Sequence, residues 1–308
     1  MEFTVCDQHY IDGRWVNPLT SGDSISVINP ATQQQVGLVV SGGADDVDQA
    51  VAAARAAFPA FSTRPVGERA ALLGRILTLL EERSEGLAQA ITREMGAAIT
   101  FSRASQVPFG IAHIRAAIEV LETYAFIRQR GTTATIKEGI GVCGLITPWN
   151  WPLYQITAKV APAIAAGCTI VLKPSEVSPF SAQLFAQILH DAGTPAGVFN
   201  LVHGTGPQVG AALAAHPDVD MISITGSTRA GVLVAQAAAS TVKRVTQELG
   251  GKSPNILLDD ADFDRVVPLG VASGSRPSRW CKIRLRRDGQ RSSGLWWQIE
   301  GLGVFGRV

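Results

Sequence analysis

The spacing of hydrophobic residues changes once along this chain, close to residue 130. Before that point, after a short β-forming segment with a turn at Asp12-Gly13, apolar positions recur at helical spacing. These patterns predict three long helices, over residues 45–61, 67–96 and 105–128. The Thr-rich alternation of RGTTATIKEGIG, residues 130–141, then predicts a β-hairpin.

Beyond residue 141, short apolar runs alternate with helical stretches. The runs predict strands at 142–147, 169–173, 198–203, 221–225 and 245–249. The stretches between them predict helices at 153–166, 178–192, 206–215 and 228–239. Strands that alternate with helices in this way form right-handed βαβ units, so we predict an α/β fold with a doubly wound, Rossmann-like parallel sheet. Such a sheet binds ligands at the carboxyl ends of its strands.

Composition narrows the class of protein. Of the 308 residues, 46% are hydrophobic and 17% are charged, which is typical of a globular, enzyme-like chain with a buried core. The four cysteines have no paired spacing, so we expect a reducing compartment, no disulfide framework and no metal site. The amino terminus lacks the pattern of a signal peptide, and prolines interrupt the charge-free window 139–158. We therefore expect a cytoplasmic protein without a membrane span.

Charge is distributed unevenly between the body of the chain and its carboxy-terminal tail. Residues 274–308 carry eight basic and two acidic residues, a balance of +6, whereas the rest carries 19 basic and 24 acidic residues, a balance of −5. A basic tail on an acidic body requires its own explanation.

Chemically active side chains cluster at the ends of five consecutive predicted strands. Glycine and proline would serve there as turn residues in any α/β domain, but turns do not require a lysine, an asparagine and two glutamates. We therefore favour a functional interpretation for TPWNWP (147–152), KPSE (173–176), HGTGP (203–207), TGST (225–228) and ELGG (248–251).

Two of these turns are rich in glycine and lead into a helix. In GSTRAG (226–231), the first N–H groups of the helix can hold a pyrophosphate, and Gly226 lets a ligand approach the backbone. A serine or threonine cap after a glycine gives the same sequence, so the motif alone leaves both explanations open. GTGPQVG (204–210) is equally consistent with a simple tight turn.

The other motifs carry polar groups suited to a nucleotide and to acyl chemistry. Lys173 and Glu176 have the spacing to bracket a ribose, although a surface ion pair at a helix start has the same sequence. In TPWNWP, tryptophans and prolines make a rigid loop around Asn150, which suits an amide that donates to a developing oxyanion. The alternative is an aromatic-lined core turn with asparagine as its turn residue.

Taken in order, TPWNWP, VLKPSE, ITGSTRAG and QELGGKSPNI resemble the NAD(P)-dependent aldehyde dehydrogenase superfamily, and IDGRWV and INPATQQQVG resemble its opening strands. The resemblance covers roughly residues 8–272. It implies that Asn150 is the oxyanion-hole amide and Glu248 the general base. It also implies a cofactor site, with Lys173 and Glu176 on the adenosine ribose and Gly226 and Ser227 on the pyrophosphate. The remaining cofactor-binding positions that it implies are Ile146, Pro148, Trp149, Ser175, Gly206, Gly210, Thr225 and Leu249. A carboxylate at position 176 favours NAD, with NADP as the second choice.

The resemblance also implies a reaction and a domain plan. In the family a cysteine thiolate attacks an aldehyde, hydride passes to the nicotinamide, and base-activated water hydrolyses the thioester to a carboxylic acid. The family forms homo-oligomers, and we expect no nucleic-acid or membrane partner. The expected domains are a dinucleotide-binding domain (1–124 and 141–251), a bridging hairpin (125–140) and the start of a catalytic domain (252–272) with a strand at 255–259. Residues 273–308 are expected to be a basic tail outside the family pattern, either frameshifted or disordered.

The sequence departs from the family pattern at the nucleophile. By the resemblance, a G-Q-x-C motif belongs near position 282, but the sequence there is PSRWCKIR, with Cys281 one position away. Three explanations stay open: an out-of-frame or spliced tail with an accidental cysteine, a basic tail selected to bind nucleic acid or an anionic membrane, and a working Cys281 in a changed motif. We favour the first, and we expect a truncated chain limited to cofactor binding, with impaired assembly. A non-catalytic NAD-binding or interaction module is the alternative.

Overall fold

The fold is taken from a computed structural model, which describes residues 3–19, 24–251, 257–258, 260–274, 283–286, 296–299 and 304–307. Its strands are β1 (Thr4–Cys6), β2 (His9–Ile11), β3 (Arg14–Val16), β4 (Ile25–Ile28), β5 (Gln35–Val39), β6 (Ile127–Arg130), β7 (Thr133–Ile136), β8 (Val142–Ile146), β9 (Thr169–Lys173), β10 (Phe199–Leu201), β11 (Met221–Gly226), β12 (Arg244–Leu249), β13 (Ile283–Arg286), β14 (Trp296–Ile299) and β15 (Val304–Arg307). Its α-helices are α1 (Ala44–Ser62), α2 (Val66–Glu82), α3 (Ser84–Met95), α4 (Ile99–Phe101), α5 (Val107–Thr123), α6 (Pro152–Ala166), α7 (Phe180–Asp191), α8 (Ala211–Ala215), α9 (Thr228–Ala238) and α10 (Phe263–Gly274). Two π-helical turns lie at Ser102–Gln106 and Gly206–Gly210, and a 3₁₀ turn lies at Ala239–Thr241.

Seven strands form the central sheet, in the order β12-β11-β8-β9-β10-β2-β3. The five strands predicted from the βαβ pattern, β8 to β12, run parallel, and β2 and β3 extend the sheet with antiparallel pairing at one edge. The predicted doubly wound α/β fold is confirmed. The register places Ile146 between Lys173 and Ile224, and it places Thr225 beside Glu248. Because parallel strands end at the same edge of a sheet, these side chains meet there.

Helices cover both faces of the sheet. Alternate residues of β8 point to opposite faces, so Cys143 and Leu145 pack into one hydrophobic core and Val142 and Ile146 into the other. The first core includes residues of α2, α3, α5, α6 and α7, and the second includes residues of α1, α8 and α9. No helix in the described ranges has the combined length and apolar character that a bilayer crossing requires.

The helical region before residue 130 differs from the prediction at two places. The predicted helix 67–96 is two helices, α2 and α3, because the backbone leaves helical geometry at Arg83, with φ −100° and ψ 14°. The predicted helix 105–128 ends at Thr123, since Tyr124 adopts an extended conformation. Residues 127–130 instead form β6, which pairs with β7. The hairpin therefore begins before the alternating segment 130–141 and lies within the expected bridging segment 125–140.

The carboxy-terminal part of the chain also differs from the prediction. Of the predicted strand 255–259, the structure describes Leu257 and Leu258, which belong to no strand. The tail is expected to be either frameshifted or disordered, and its described residues form β13, β14 and β15, which pair antiparallel. These strands bear on the expected disorder and leave the frameshift untested. The β-branched and aromatic residues of these three segments favour strands. Cys281 lies outside the described residues.

Candidate active site

A cavity of about 1200 Å³ opens at the carboxyl ends of β8, β9, β11 and β12. Small-molecule pockets usually measure roughly 300–1000 Å³, so this one has room for a ligand as large as a dinucleotide. The predicted site residues that line the cavity are Ile146, Pro148, Trp149, Asn150, Lys173, Ser175, Glu176, Gly206, Thr225, Gly226, Ser227, Glu248 and Leu249. The structure thus gathers residues from five separate motifs around one space.

Gly210 is the predicted position that the structure does not place in the cavity wall. It is buried in the π-helical turn, where a Cβ on it would lie 4.0 Å from Ile146 Cδ1. Because Ile146 does line the cavity, Gly210 supports the wall from behind. The predicted helix 206–215 is also corrected here, since it consists of this turn followed by the five-residue α8.

Lys173 and Glu176 form an ion pair in the cavity wall. The Lys173 Nζ lies 2.8 Å from Glu176 Oε2, and the lysine side chain is 4% exposed whereas the glutamate side chain is 32% exposed. Helix α7 begins only at Phe180, four residues after Glu176, so the explanation by a surface pair in a first helical turn is wrong. The pair presents a cation and a carboxylate side by side, which suits the hydroxyl groups of a sugar.

The amino terminus of α9 faces the same cavity. Ser227 caps this helix, and its Oγ accepts a hydrogen bond from the Ala230 N–H at 3.2 Å. The cap interpretation is therefore correct, and it leaves the positive end of the helix dipole at the cavity, where an anion is stabilised.

Two glycines in the wall leave space for a ligand, and one threonine offers it a polar atom. Apart from adjacent residues and the backbone of its own turn, no described atom lies within 4 Å of where a Cβ on Gly206 would stand. Beyond the adjacent residues, the nearest described atom to a Cβ on Gly226 is 3.8 Å away. Protein packing therefore does not explain glycine at either position, whereas close approach of a ligand does. The buried Thr225 Oγ1 has no hydrogen-bond partner within the described part of the chain. These features fit a dinucleotide with its phosphates against α9.

The loop that carries Asn150 is fixed by its neighbours. Gln106 Nε2, on the π turn before α5, donates to the Asn150 carbonyl oxygen at 3.2 Å. Trp151 packs edge-on against Phe101 with ring centroids 5.5 Å apart, and Pro152 begins α6. The half-buried Asn150 side chain lines the cavity, as does the exposed Glu248 on β12. The structure thus brings together the amide and the carboxylate that the resemblance names as catalytic.

Lys159 is a cavity residue that the sequence interpretation missed. It lies on α6, and its Nζ is 3.0 Å from Ser223 Oγ on β11. Burial lowers the pKa of Lys159, and the charge of Glu248 acts in the opposite direction. One signal was available, because Lys159 is the only charged residue between Glu138 and Lys173.

The described residues contain no group of three or more His, Cys, Asp or Glu side chains that could hold a metal ion. The groups at the cavity are instead a lysine and carboxylates at the strand ends, an amide, and a capped helix terminus. This set can bind a sugar-phosphate ligand and can polarise a carbonyl group beside it.

Comparisons with known proteins agree with this geometry. A profile described as the aldehyde dehydrogenase family matches residues 15–277. A 3-succinoylsemialdehyde-pyridine dehydrogenase from a Pseudomonas species is 55% identical over 265 residues, which are 86% of this chain and 55% of that protein. A putative aldehyde dehydrogenase from Staphylococcus aureus is 47% identical over 256 residues, 83% of this chain and 54% of that protein.

Solved structures give the same result. A mutant of aldehyde dehydrogenase C from Pseudomonas syringae, complexed with NAD+ and octanal, is 65% identical with a TM-score of 0.88, and the match covers 89% of this chain and 56% of that chain. An aldehyde dehydrogenase from Bartonella henselae is 44% identical with a TM-score of 0.85, over 88% of this chain and 57% of that chain. The chain thus spans about half the length of the relatives that it matches.

Proposed function

The chain belongs to the aldehyde dehydrogenase family, and from that membership we propose that it carries the cofactor site of an enzyme that oxidises an aldehyde to a carboxylic acid with NAD. The observation that carries the proposal is the cavity in which the Lys173–Glu176 pair, the α9 terminus and the unfilled space at Gly206 and Gly226 meet. The Pseudomonas syringae relative, which was solved with NAD+ and octanal, supports the same ligand classes.

Each part of the cofactor has candidate partners in the wall. Lys173 and Glu176 would hold the adenosine ribose, and Gly226 and Ser227 would hold the pyrophosphate at the start of α9. Ile146, Pro148, Trp149, Ser175, Gly206, Thr225 and Leu249 would form the surrounding wall, with Gly210 behind it. When bound, NAD supplies the acceptor for the hydride that leaves the substrate. The carboxylate of Glu176 disfavours the 2′-phosphate of NADP.

Two side chains would act on the substrate. The Asn150 amide donates to the carbonyl oxygen as negative charge develops on it, in a loop that Gln106 and the packing of Trp151 hold rigid. Glu248 accepts a proton from the attacking water, and its position beside Thr225 at the strand end leaves it open to the cavity.

A second candidate function is a non-catalytic NAD-binding module. The observation in its favour is that the family match ends at residue 277, so that Cys281 lies outside it and outside a G-Q-x-C motif. Both candidates require the cofactor site, and they differ only in turnover.

Calorimetric titration of the purified 308-residue chain with NAD tests the site. We expect saturable binding, weakened about tenfold or more in Lys173→Met, because the ribose loses a charged hydrogen-bond donor. Lys137→Met is the matched control, since this exposed lysine follows the hairpin and contacts Tyr124. A wild-type chain that does not bind NAD, or equal affinities in the two variants, contradicts the proposal.

An assay for NADH with NAD and octanal then separates the two candidates. Turnover that is lost in Cys281→Ser supports the complete reaction on this chain. Binding without turnover supports the module, with Asn150 and Glu248 unused for want of a nucleophile.

A further inference from the structure

A buried polar cluster lies behind the cofactor cavity, outside the residues assigned above. It consists of His9 on β2, Asp46 on α1 and His203 in the turn after β10. All three side chains are at most 1% exposed. Buried histidines and carboxylates are costly unless they are hydrogen-bonded, so such a cluster calls for a specific role.

The amino-terminal segment holds both backbone polar groups of His203. The His203 N–H donates to His9 Nδ1 at 3.2 Å, and the Gly42 N–H donates to the His203 carbonyl oxygen at 2.9 Å. A Cβ on Gly42 would lie 2.7 Å from His9 Nε2 and 3.0 Å from that carbonyl oxygen, so the approach requires glycine.

The first of these bonds sets the tautomer of His9. Because Nδ1 accepts a hydrogen bond, the proton of the neutral ring is on Nε2, which lies 3.8 Å from Asp46 Oδ1. The Asp46 carboxylate is itself fixed, since it accepts from the N–H groups of Leu19 and Gly43 at 2.8 Å each. Burial lowers the pKa of His9 and the charge of Asp46 opposes that shift.

The chain continues from His203 directly into the cavity wall. Gly204, with φ +148°, and Thr205 lead to Gly206, which lines the cavity. Farther along the turn, Gln208 Oε1 accepts from Ser41 Oγ and from Thr205 Oγ1, each at 3.0 Å. The start of the turn is therefore attached to His9 and Gly42, and its end is attached to Ser41.

We propose that His9 is a positioning residue whose Nδ1, by accepting from the His203 N–H, sets the place of the 204–206 turn at the cavity and thereby the affinity for the dinucleotide. The part that concerns the cofactor rests on the proposed function. The part that concerns the turn does not, because the hydrogen bond joins two groups of the chain itself.

Two neutral substitutions distinguish the hydrogen bond from mere packing. In His9→Asn the side-chain oxygen takes the place of Nδ1 in the covalent sequence, so the acceptor is kept. In His9→Gln the polar atoms take the place of Nε2, so the His203 N–H loses its partner. The first readout is hydrogen exchange at the His203 amide without cofactor. We expect a rate near the wild-type value in His9→Asn and about tenfold faster exchange in His9→Gln.

The second readout is the dissociation constant for NAD. We expect it to rise about fivefold in His9→Gln and to change by less than about twofold in His9→Asn. Equal exchange in the two variants overturns the proposal, as does an equal effect of both on NAD affinity. If the wild-type chain does not bind NAD, the proposed function fails, and the exchange measurement still decides whether His9 positions the turn.

A measurement on the wild-type chain removes dependence on how the variants fold. The ¹⁵N chemical shifts of the His9 ring distinguish the tautomers. A proton on Nε2 is the expected result, and a proton on Nδ1 overturns the proposal because such a ring cannot accept from His203.

Discussion

The ammonium of Lys173 lies 2.8 Å from the carboxylate of Glu176. Both residues line the cavity, and the lysine side chain is buried whereas the glutamate side chain is partly exposed. The lysine is the last residue of a buried strand, and the glutamate stands in the loop that follows. The buried cation therefore fixes the direction of the more exposed carboxylate, which is the group that meets a ligand first.

This arrangement predicts the effect of Glu176→Gln on cofactor preference. Removal of the negative charge relieves repulsion of the 2′-phosphate, so the ratio of the NADP dissociation constant to that of NAD should fall about tenfold. Titrations with both nucleotides measure the ratio. Glu138→Gln is the control, because Glu138 also lines the cavity but precedes the amino end of β8, and it should leave the ratio unchanged. An unchanged ratio in Glu176→Gln would remove Glu176 from the ribose site.

Gly141 is predicted to be essential for stability. Its φ is +128°, and a Cβ there would overlap with the carboxylate of Asp220. That carboxylate accepts from the Val142 N–H and from Arg55, each at 2.7 Å, so it cannot move without breaking both contacts. Gly141→Ala should lower the free energy of unfolding by roughly 2–4 kcal/mol, as measured in urea.

Gly74→Ala is the matched control for this change. Gly74 lies within α2, and apart from adjacent residues and the backbone of its own helix no described atom would come within 4 Å of its Cβ. Alanine favours a helix over glycine by about 1 kcal/mol, so this variant should be more stable than the wild type. If Gly141→Ala changes the unfolding free energy by no more than Gly74→Ala does, then Asp220 can move at little cost.

The central sheet could be predicted from the sequence because its signal is local. Each strand from β8 to β12 is a short apolar run bounded by turn residues, and that pattern needs no knowledge of distant contacts. The break at Arg83 carries no such signal, since the apolar positions of α2 and α3 continue at helical spacing across it. Tertiary packing decided between one helix and two.

The candidate site also contains some residues that could be predicted from the sequence and others that could not. Lys173, Glu176 and Ser227 could be found because a strand end is a known place for ligand-binding residues. Lys159 lies in the middle of a helix, and what places it at the site is Ser223 on a strand 64 residues later. The contact of His9 with His203 joins residues 194 apart in the chain. The isolated charge of Lys159 marks that residue in the sequence but does not identify its partner, and the contact of His9 with His203 has no signature in a single sequence.

Glu94 on α3 gives a prediction about pH. Its carboxylate is fully buried and accepts from the N–H of Phe180 at 2.5 Å and from Ser181 Oγ at 2.6 Å, at the start of α7. Burial raises the pKa of Glu94 from 4.5 to about 7, although these donors act in the opposite direction. A raised pKa in the folded state means that this group stabilises the fold fully below pH 4.5, and that the contribution is lost as pH rises through about 7.

The difference in unfolding free energy between the wild type and Glu94→Gln isolates this contribution. Burial also lowers the pKa of His203 from 6.5 to about 3, so the stability that His203 contributes is present above pH 6.5 and lost on acidification. The unfolding free energy of the wild type therefore combines opposite pH dependences from Glu94 and His203. Because Glu94→Gln retains His203, the contribution of His203 cancels when the two proteins are compared. The unfolding free energy of the wild type minus that of Glu94→Gln should fall by roughly 3 kcal/mol between pH 4.5 and 8. Glu82→Gln, at an exposed position of α2, is the matched control for the substitution itself. If the Glu94 difference instead grows with pH, the donors of α7 outweigh burial, and the carboxylate is held in its ionised form as a cap of that helix.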